Sequence, residues 1–145
     1  MLTYHKRFLP HYESEGAVYF VTFKLKAGHL TKSEIAILLE HIKEGDPKYY
    51  RLIAAQVMSN HVHLLLTPND NLTLSKAMKQ IKGASARNIN LSRGSTGALW
   101  FEESFDRIVR DQNELDEKLN YMYENPLKAG IVEDPEEYWG WWKKE

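Results

Sequence analysis

Two histidines placed two residues apart are the first feature of the chain that could do chemistry. His61-Val62-His63 opens the apolar run Leu64-Leu65-Leu66. In a strand, alternate side chains share a face, so His61 and His63 point the same way while Val62, Leu64 and Leu66 point into the other layer. Their α-carbons stand about 7 Å apart. From there two imidazoles can converge on one ion, each bonding at about 2 Å. The same pattern also suits two histidines on a solvated strand face. Two protein ligands do not complete a metal site, so a third must come from elsewhere. His5, His11, His29 and His41 are scattered and have no partner at useful spacing.

The second feature is a tyrosine on a helix. With Leu119 set at zero and about 100° per residue, Leu115 and Met122 fall within about 60° and Tyr123 about 40° away, forming a buried stripe. Tyr121 falls about 200° round, either an ordinary surface residue or one displayed for reaction. Asn125 is one turn further on nearly the same face. Its amide oxygen is a candidate for the missing hard ligand, and Asn125-Pro126 also reads as a helix stop. A phenol with a pKa near 10 is only about one part in a thousand ionised at neutral pH, a deficit of about 4 kcal/mol. A divalent cation that polarises a phosphoryl oxygen can supply several kcal/mol. Phosphodiester transfer to tyrosine is therefore coherent chemistry for this set.

The third feature is hidden by the net charge. The 145 residues carry 19 basic and 20 acidic side chains, a balance of −1, where a nucleic-acid-binding domain is expected to show a basic excess. The charges are segregated: residues 71–110 hold 7 basic and 3 acidic, residues 111–145 hold 4 and 10, and Asn71 to Phe101 contains no acidic residue. Lys76, Lys79, Lys82, Arg87 and Arg93 on the acid-free stretch are the first candidates for phosphate contacts, with Arg107 and Arg110 next. Such segregation also fits one basic and one acidic solvated helix. A basic strip alongside the His61-His63 strand is the resulting expectation.

The elements that must position these groups follow from periodicity. Val18 to Lys26 reads as a strand. Thr31 to Lys43 reads as a helix, with Thr31 and Glu34 as a capping box and Ile35, Leu38, Leu39 and Ile42 at helical spacing, closed by Gly45-Asp46-Pro47. Tyr49 to Met58 and His61 to Thr67 read as a hairpin across Ser59-Asn60. A helix carrying Leu74, Met78, Ile81 and Ile89 follows and ends before Gly94. Ser104 to Arg110 is a short strand, Asp111 to about Glu124 a third helix, and Ile131-Val132 extended at best. The predicted fold is a ferredoxin-like α+β sandwich, an antiparallel sheet with packed helices and an extra C-terminal helix, as one domain over residues 1–145.

Composition adds exclusions. Hydrophobic residues make up 43% and charged residues 27%, as in ordinary globular proteins. The longest apolar stretch, Ala17 to Phe23, is too short to span a bilayer. Met1 to Arg7 carries no signal-peptide core, so a cytoplasmic location is expected. Cysteine is absent, which removes disulfides, thiolate ligands and thiol nucleophiles.

Three motifs in order, Met58-Ser59-Asn60-His61-Val62-His63-Leu64-Leu65-Leu66, Phe105-Asp106-Arg107-Ile108-Val109-Arg110-Asp111 and Tyr121-Met122-Tyr123-Glu124-Asn125-Pro126-Leu127-Lys128-Ala129-Gly130-Ile131-Val132, resemble the single-tyrosine HUH transposases, and within them the REP-associated tyrosine transposases. The resemblance covers nearly the whole chain. It implies a ferredoxin-like fold, His61 and His63 as metal ligands, Asn125 completing the metal site and Tyr121 as nucleophile. It further implies magnesium or manganese as cofactor, single-stranded DNA near hairpins as substrate, and cleavage that leaves a 5′-phosphotyrosine and a free 3′-hydroxyl for rejoining, with no nucleotide cofactor. Relatives use Tyr121's counterpart within one subunit or across a homodimer, and both arrangements stay open. The chain departs from the pattern at Ser59, where many relatives have proline, and in carrying little beyond Tyr138-Trp139-Gly140-Trp141-Trp142, an aromatic cluster that either caps the core or stacks on bases. The competing readings are a catalytically silent hairpin-binding protein, which binds without forming an adduct, and a metal-dependent phosphodiesterase using water, which is indifferent to Tyr121→Phe. Ferredoxin-like RNA binding lacks the aromatic pair its central strands would need.

Overall fold

The computed structural model describes residues Gly16 to Glu145; His5, His11 and the Met1 to Arg7 start lie outside the described residues. Five strands form one antiparallel sheet: β1 (Tyr19–Lys24), β2 (Tyr50–Val57), β3 (His61–Pro68), β4 (Phe105–Ile108) and β5 (Trp141–Lys143) in the order β4-β1-β3-β2-β5. Helices α1 (Lys32–Glu44) and α2 (Leu74–Arg93) cover one face, and α3 (Gln112–Lys128) covers the other. The α+β sandwich with an extra helix is thus present. Among the described residues no helix is long and apolar enough to cross a membrane.

Alternation along the strands sorts the core into two layers. Val21, Phe23, Val62, Leu64 and Leu66 pack with Ile35, Leu38 and Ile42 of α1 and Ala77, Ile81 and Ile89 of α2. Val18, Phe20 and Leu65 face the other way and pack with Leu115, Leu119 and Met122 of α3. Burying each such large side chain stabilises the fold by about 1.5–3 kcal/mol. The register of β2 against β3 shifts between Leu52 and Ala54. Leu52 lies in the first layer, whereas Ile53 and Ala54 both lie in the second, so alternation restarts one residue later and Gln56 faces α3.

Local capping fixes the helices. Thr31 and Glu34 form the expected capping box on α1, with Glu34 N–H donating to Thr31 Oγ1 and Thr31 N–H to Glu34 Oε1. Glu34 also receives Arg93 from the last turn of α2, through Nε at 2.7 Å and Nη2 at 2.8 Å, which ties the two helices together. Asp111 caps α3 by accepting from the Glu114 N–H.

Two elements differ from the sequence reading. Helix α3 does not stop at Asn125-Pro126 but continues to Lys128 with Pro126 inside it. Proline has no N–H for the carbonyl four residues back, here that of Met122, and Gln56 Nε2 donates to that oxygen instead. A strand lies at Trp141–Lys143, paired with β2, while Ile131-Val132 belongs to none. The aromatic cluster is bound into the fold: Tyr138 is buried with its hydroxyl donating to Val57 O at 2.5 Å, and Trp139 and Trp142 pack on the helix-covered core.

Candidate active site

One rung of residues crosses the sheet on the α3 side. Phe105 pairs with Thr22, Thr22 with His63, His63 with Gln56 and Gln56 with Trp141. Directly opposite residues of antiparallel strands project to the same face, so one row carries the inner histidine and its neighbours. His61 lies two residues along the strand on the same face, paired with Lys24.

The two imidazoles stand edge to face with centroids 4.9 Å apart. Each has its Nδ1 engaged: His61 Nδ1 lies 2.8 Å from Asn60 Oδ1, and His63 Nδ1 lies 2.8 Å from Thr22 Oγ1. An amide oxygen only accepts, so Asn60 holds the proton of His61 on Nδ1 and leaves Nε2 with its lone pair. His63 Nε2 is buried and has no hydrogen-bond partner. His63 also stacks on Phe20 at 5.4 Å.

Burial keeps both rings neutral. It pushes the His61 pKa below its usual value, helped by the positive charge of Lys24. It pushes His63 down to about 3, reinforced by His61, Lys118 and Lys24. Two neutral imidazoles with oriented rings are what a divalent ion requires of nitrogen ligands. The orphaned Nε2 of His63 therefore fits a metal-ligating role. Among the described residues no group of three or more histidine, aspartate or glutamate side chains is placed to hold a metal ion, so a third ligand drawn from these residues would be of another type.

Tyr121 meets this pair within the same chain. Its ring lies edge-on to His63 at 5.4 Å between centroids and to Phe20 at 6.4 Å. The residue is 51% exposed, so the phenol is open to a substrate. Lys118, Tyr121 and Asn125 all lie on one flank of the stripe formed by Leu115, Leu119 and Met122. A long side chain on that flank reaches the margin of the sheet, which is why a position turned away from the core still touches His63. Tyr123 sits half-buried at the opposite margin, its hydroxyl donating to Glu136 Oε1 at 3.1 Å and its ring against Trp141. Asn125 lies one turn beyond Tyr121, with Nδ2 at 3.5 Å from Gln56 Oε1.

His61, His63 and Tyr121 line a cleft of about 700 Å³ together with Phe20, Thr22, Lys24, Asn60, Phe105 and Lys118, and Asn125 is not among the lining residues. Thr22, Asn60, Gln56, Lys24 and Lys118 were not singled out from the sequence. Asn60 had a signal, being the turn residue that precedes His61. Thr22 and Gln56 had none, because only the strand register places them beside His63.

The basic candidates are dispersed. Helix α2 packs on the sheet face opposite the histidines, so the basic strip expected alongside their strand is not formed by this helix. Lys76, Lys79 and Arg87 are exposed there. Lys82 Nζ instead donates to Phe101 O, Glu102 O and Ser104 Oγ, holding the segment before β4. Arg93 is committed to Glu34 and His29 O. Arg107 and Arg110, at the end of β4, both pair with Glu114 of α3.

The family model described as IS200-like transposase matches residues 20–124. A Haemophilus influenzae protein assigned as a REP-associated tyrosine transposase is 25% identical over 138 residues, covering 83% of this chain and 76% of its own length. Among solved structures, a REP-associated tyrosine transposase bound to a REP hairpin superposes with a TM-score of 0.67 at 20% identity, covering 86% of this chain and 74% of the other. A Deinococcus radiodurans protein assigned as a transposase gives a TM-score of 0.52 at 22% identity, over 72% and 88% of the two chains.

Proposed function

The chain belongs to the IS200-like transposase family, and on that footing we propose that it cleaves and rejoins single-stranded DNA beside hairpins, with Tyr121 as nucleophile. The observation that carries this reading is the Tyr121 ring packed on His63, whose Nε2 is buried and unpartnered. The hairpin is suggested by the structurally similar transposase, which was solved with a REP hairpin.

The reaction is a transesterification. The Tyr121 oxygen attacks the phosphorus, the bond from phosphorus to the 3′-oxygen breaks, and the phosphoryl group remains on tyrosine as a 5′-phosphotyrosine. The tyrosine proton leaves and the departing 3′-oxygen gains one, so the phosphodiester is exchanged without net hydrolysis. Attack by a 3′-hydroxyl on the phosphotyrosine reverses the sequence and rejoins DNA.

His61 and His63 would hold a magnesium or manganese ion through Nε2, with the Asn125 amide oxygen as third ligand, and the ion would polarise the phosphoryl oxygen. Thr22 and Asn60 fix the imidazole orientation. Gln56 shares the rung with His63, carries the carbonyl of Met122 and approaches Asn125, so it sets the position of α3 relative to the histidines. Phe20 supports both His63 and Tyr121 and keeps the inner wall of the cleft dry.

The test is covalent capture. Wild-type protein incubated with labelled hairpin DNA carrying single-stranded flanks and manganese yields a protein–DNA adduct stable to denaturation, and Tyr121→Phe yields none. An equal adduct from the variant, or product bearing a free 5′-phosphate, would overturn the assignment. Binding without any adduct would leave a silent hairpin-binding protein.

A further inference from the structure

We infer that Phe105 is the stacking platform for the nucleobase next to the cleaved phosphate, with Lys24 and Lys118 holding the phosphates on either side. The inference rests on the cleft being the DNA-cleaving site proposed above.

Phe105 begins the edge strand β4 and ends the rung Phe105-Thr22-His63-Gln56. Its register with Thr22 turns the ring to the α3 side, where it lines the same cleft as Tyr121. It is nevertheless 60% exposed, in a strand whose four residues are all exposed. The ring therefore contributes little to the core. An aromatic face held open on a rigid strand, beside a polar cleft, is the kind of surface on which an unpaired base stacks.

Charge decides which part of a nucleotide takes that place. The cations lining the cleft are Lys24, paired in register with His61, and Lys118, one turn before Tyr121 with Nζ 5.1 Å from the centre of the Phe20 ring. Beyond Phe105 the surface continues into a second depression, where Glu102 and Glu103 stand with Lys24 and Lys26. A phosphate is favoured between Lys24 and Lys118, where no carboxylate among the described residues lines the cleft, over the depression past the ring, where two carboxylates offset the lysines. At the lip itself the favourable occupant is the uncharged, flat part of the nucleotide.

The test separates base from backbone. In a Tyr121→Phe background, which prevents turnover, binding is followed by fluorescence anisotropy for a ten-nucleotide oligothymidine and for an abasic deoxyribose-phosphate strand of equal length. Phe105→Ala is expected to weaken oligothymidine binding about tenfold, the loss of one base stack, and to leave the abasic strand unchanged. Phe105→Trp is expected to retain oligothymidine affinity, with the new indole quenched on binding. Lys118→Ala is expected to weaken both strands alike. Equal loss for both strands with Phe105→Ala, or no loss for either, would overturn the inference. If base-dependent loss occurs while wild type forms no adduct, the cleavage reading fails, and with it the placement beside a cleaved phosphate, while Phe105 remains a base-stacking residue of a binding cleft. If the adduct forms and Phe105→Ala binds oligothymidine normally, the stacking assignment alone fails.

Discussion

Gln56 Nε2 donates to the carbonyl of Met122, the oxygen that Pro126 cannot serve because it has no N–H. A buried amide from the central sheet thus takes the place of a helical hydrogen bond, and the turn of α3 that follows Tyr121 is attached to the strand beside His63. The attachment leads to a first prediction. Gln56→Leu leaves the Met122 oxygen buried and unpartnered, at a cost of about 1–3 kcal/mol, read as a lower midpoint in urea denaturation. Pro126→Ala gives that oxygen a donor within the helix, so Gln56→Leu should cost less in its presence. Additive effects of the two changes would remove this account of why α3 passes through proline.

A second prediction concerns acid. With chelator present, the folded protein resists protonation of His63 until about 3, whereas the unfolded chain takes up that proton near 6.5. The unfolded state binds more protons in that window, so stability falls as pH drops from about 6.5 toward 3 and is fully present above it, with a slope from this residue of up to about 1.4 kcal/mol per pH unit. Urea titrations at pH 7, 6 and 5 should show a flatter dependence for His63→Gln. An unchanged slope would mean that the imidazole is solvated.

The engaged lysine of α2 separates from its exposed neighbour. Lys82 holds Phe101 O, Glu102 O and Ser104 Oγ, so Lys82→Ala should lower thermal stability by about 1–2 kcal/mol and leave the salt dependence of hairpin-DNA binding unchanged. Lys79 is exposed. If the DNA reaches α2, Lys79→Ala reduces the slope of log affinity against log salt by about 0.7–0.9. A slope altered by Lys82→Ala but not by Lys79→Ala would reverse these roles.

Arg93 offers a conservative replacement with an informative outcome. Arg93→Lys keeps the charge and loses the two-pronged contact with Glu34. Stability should fall by about 1–2 kcal/mol while DNA affinity at fixed salt stays the same. A large drop in affinity with unchanged melting would restore Arg93 to the DNA-contacting group.

The features that were legible in the sequence are those written in local spacing. The alternation at His61-Val62-His63, the Thr31-Glu34 box and the Leu115-Leu119-Met122 stripe each fix an element and the direction of its side chains. What lay beyond reach depends on pairing across the chain. Thr22 is an unremarked residue of β1 until register sets it opposite His63, and Arg93 reads as a free cation until α2 brings it to Glu34. Asn125-Pro126 is a sound helix stop on local grounds, overridden by the Gln56 amide, which lies 66 residues before the Met122 carbonyl it serves. β5 is three residues long, too short for alternation to register.

The shift between Leu52 and Ala54 bears on how this chain can vary. Strict alternation from Leu52 would turn the Gln56 amide into the apolar layer under α1 and α2 and bring Val57 to the site. Ile53 is the residue left without a partner at the shift, so deleting it would restore strict alternation and leave every position from Ala54 to Val57 on its present face. An alignment of relatives that places its gap elsewhere in this strand will set the wrong residue beside the histidines.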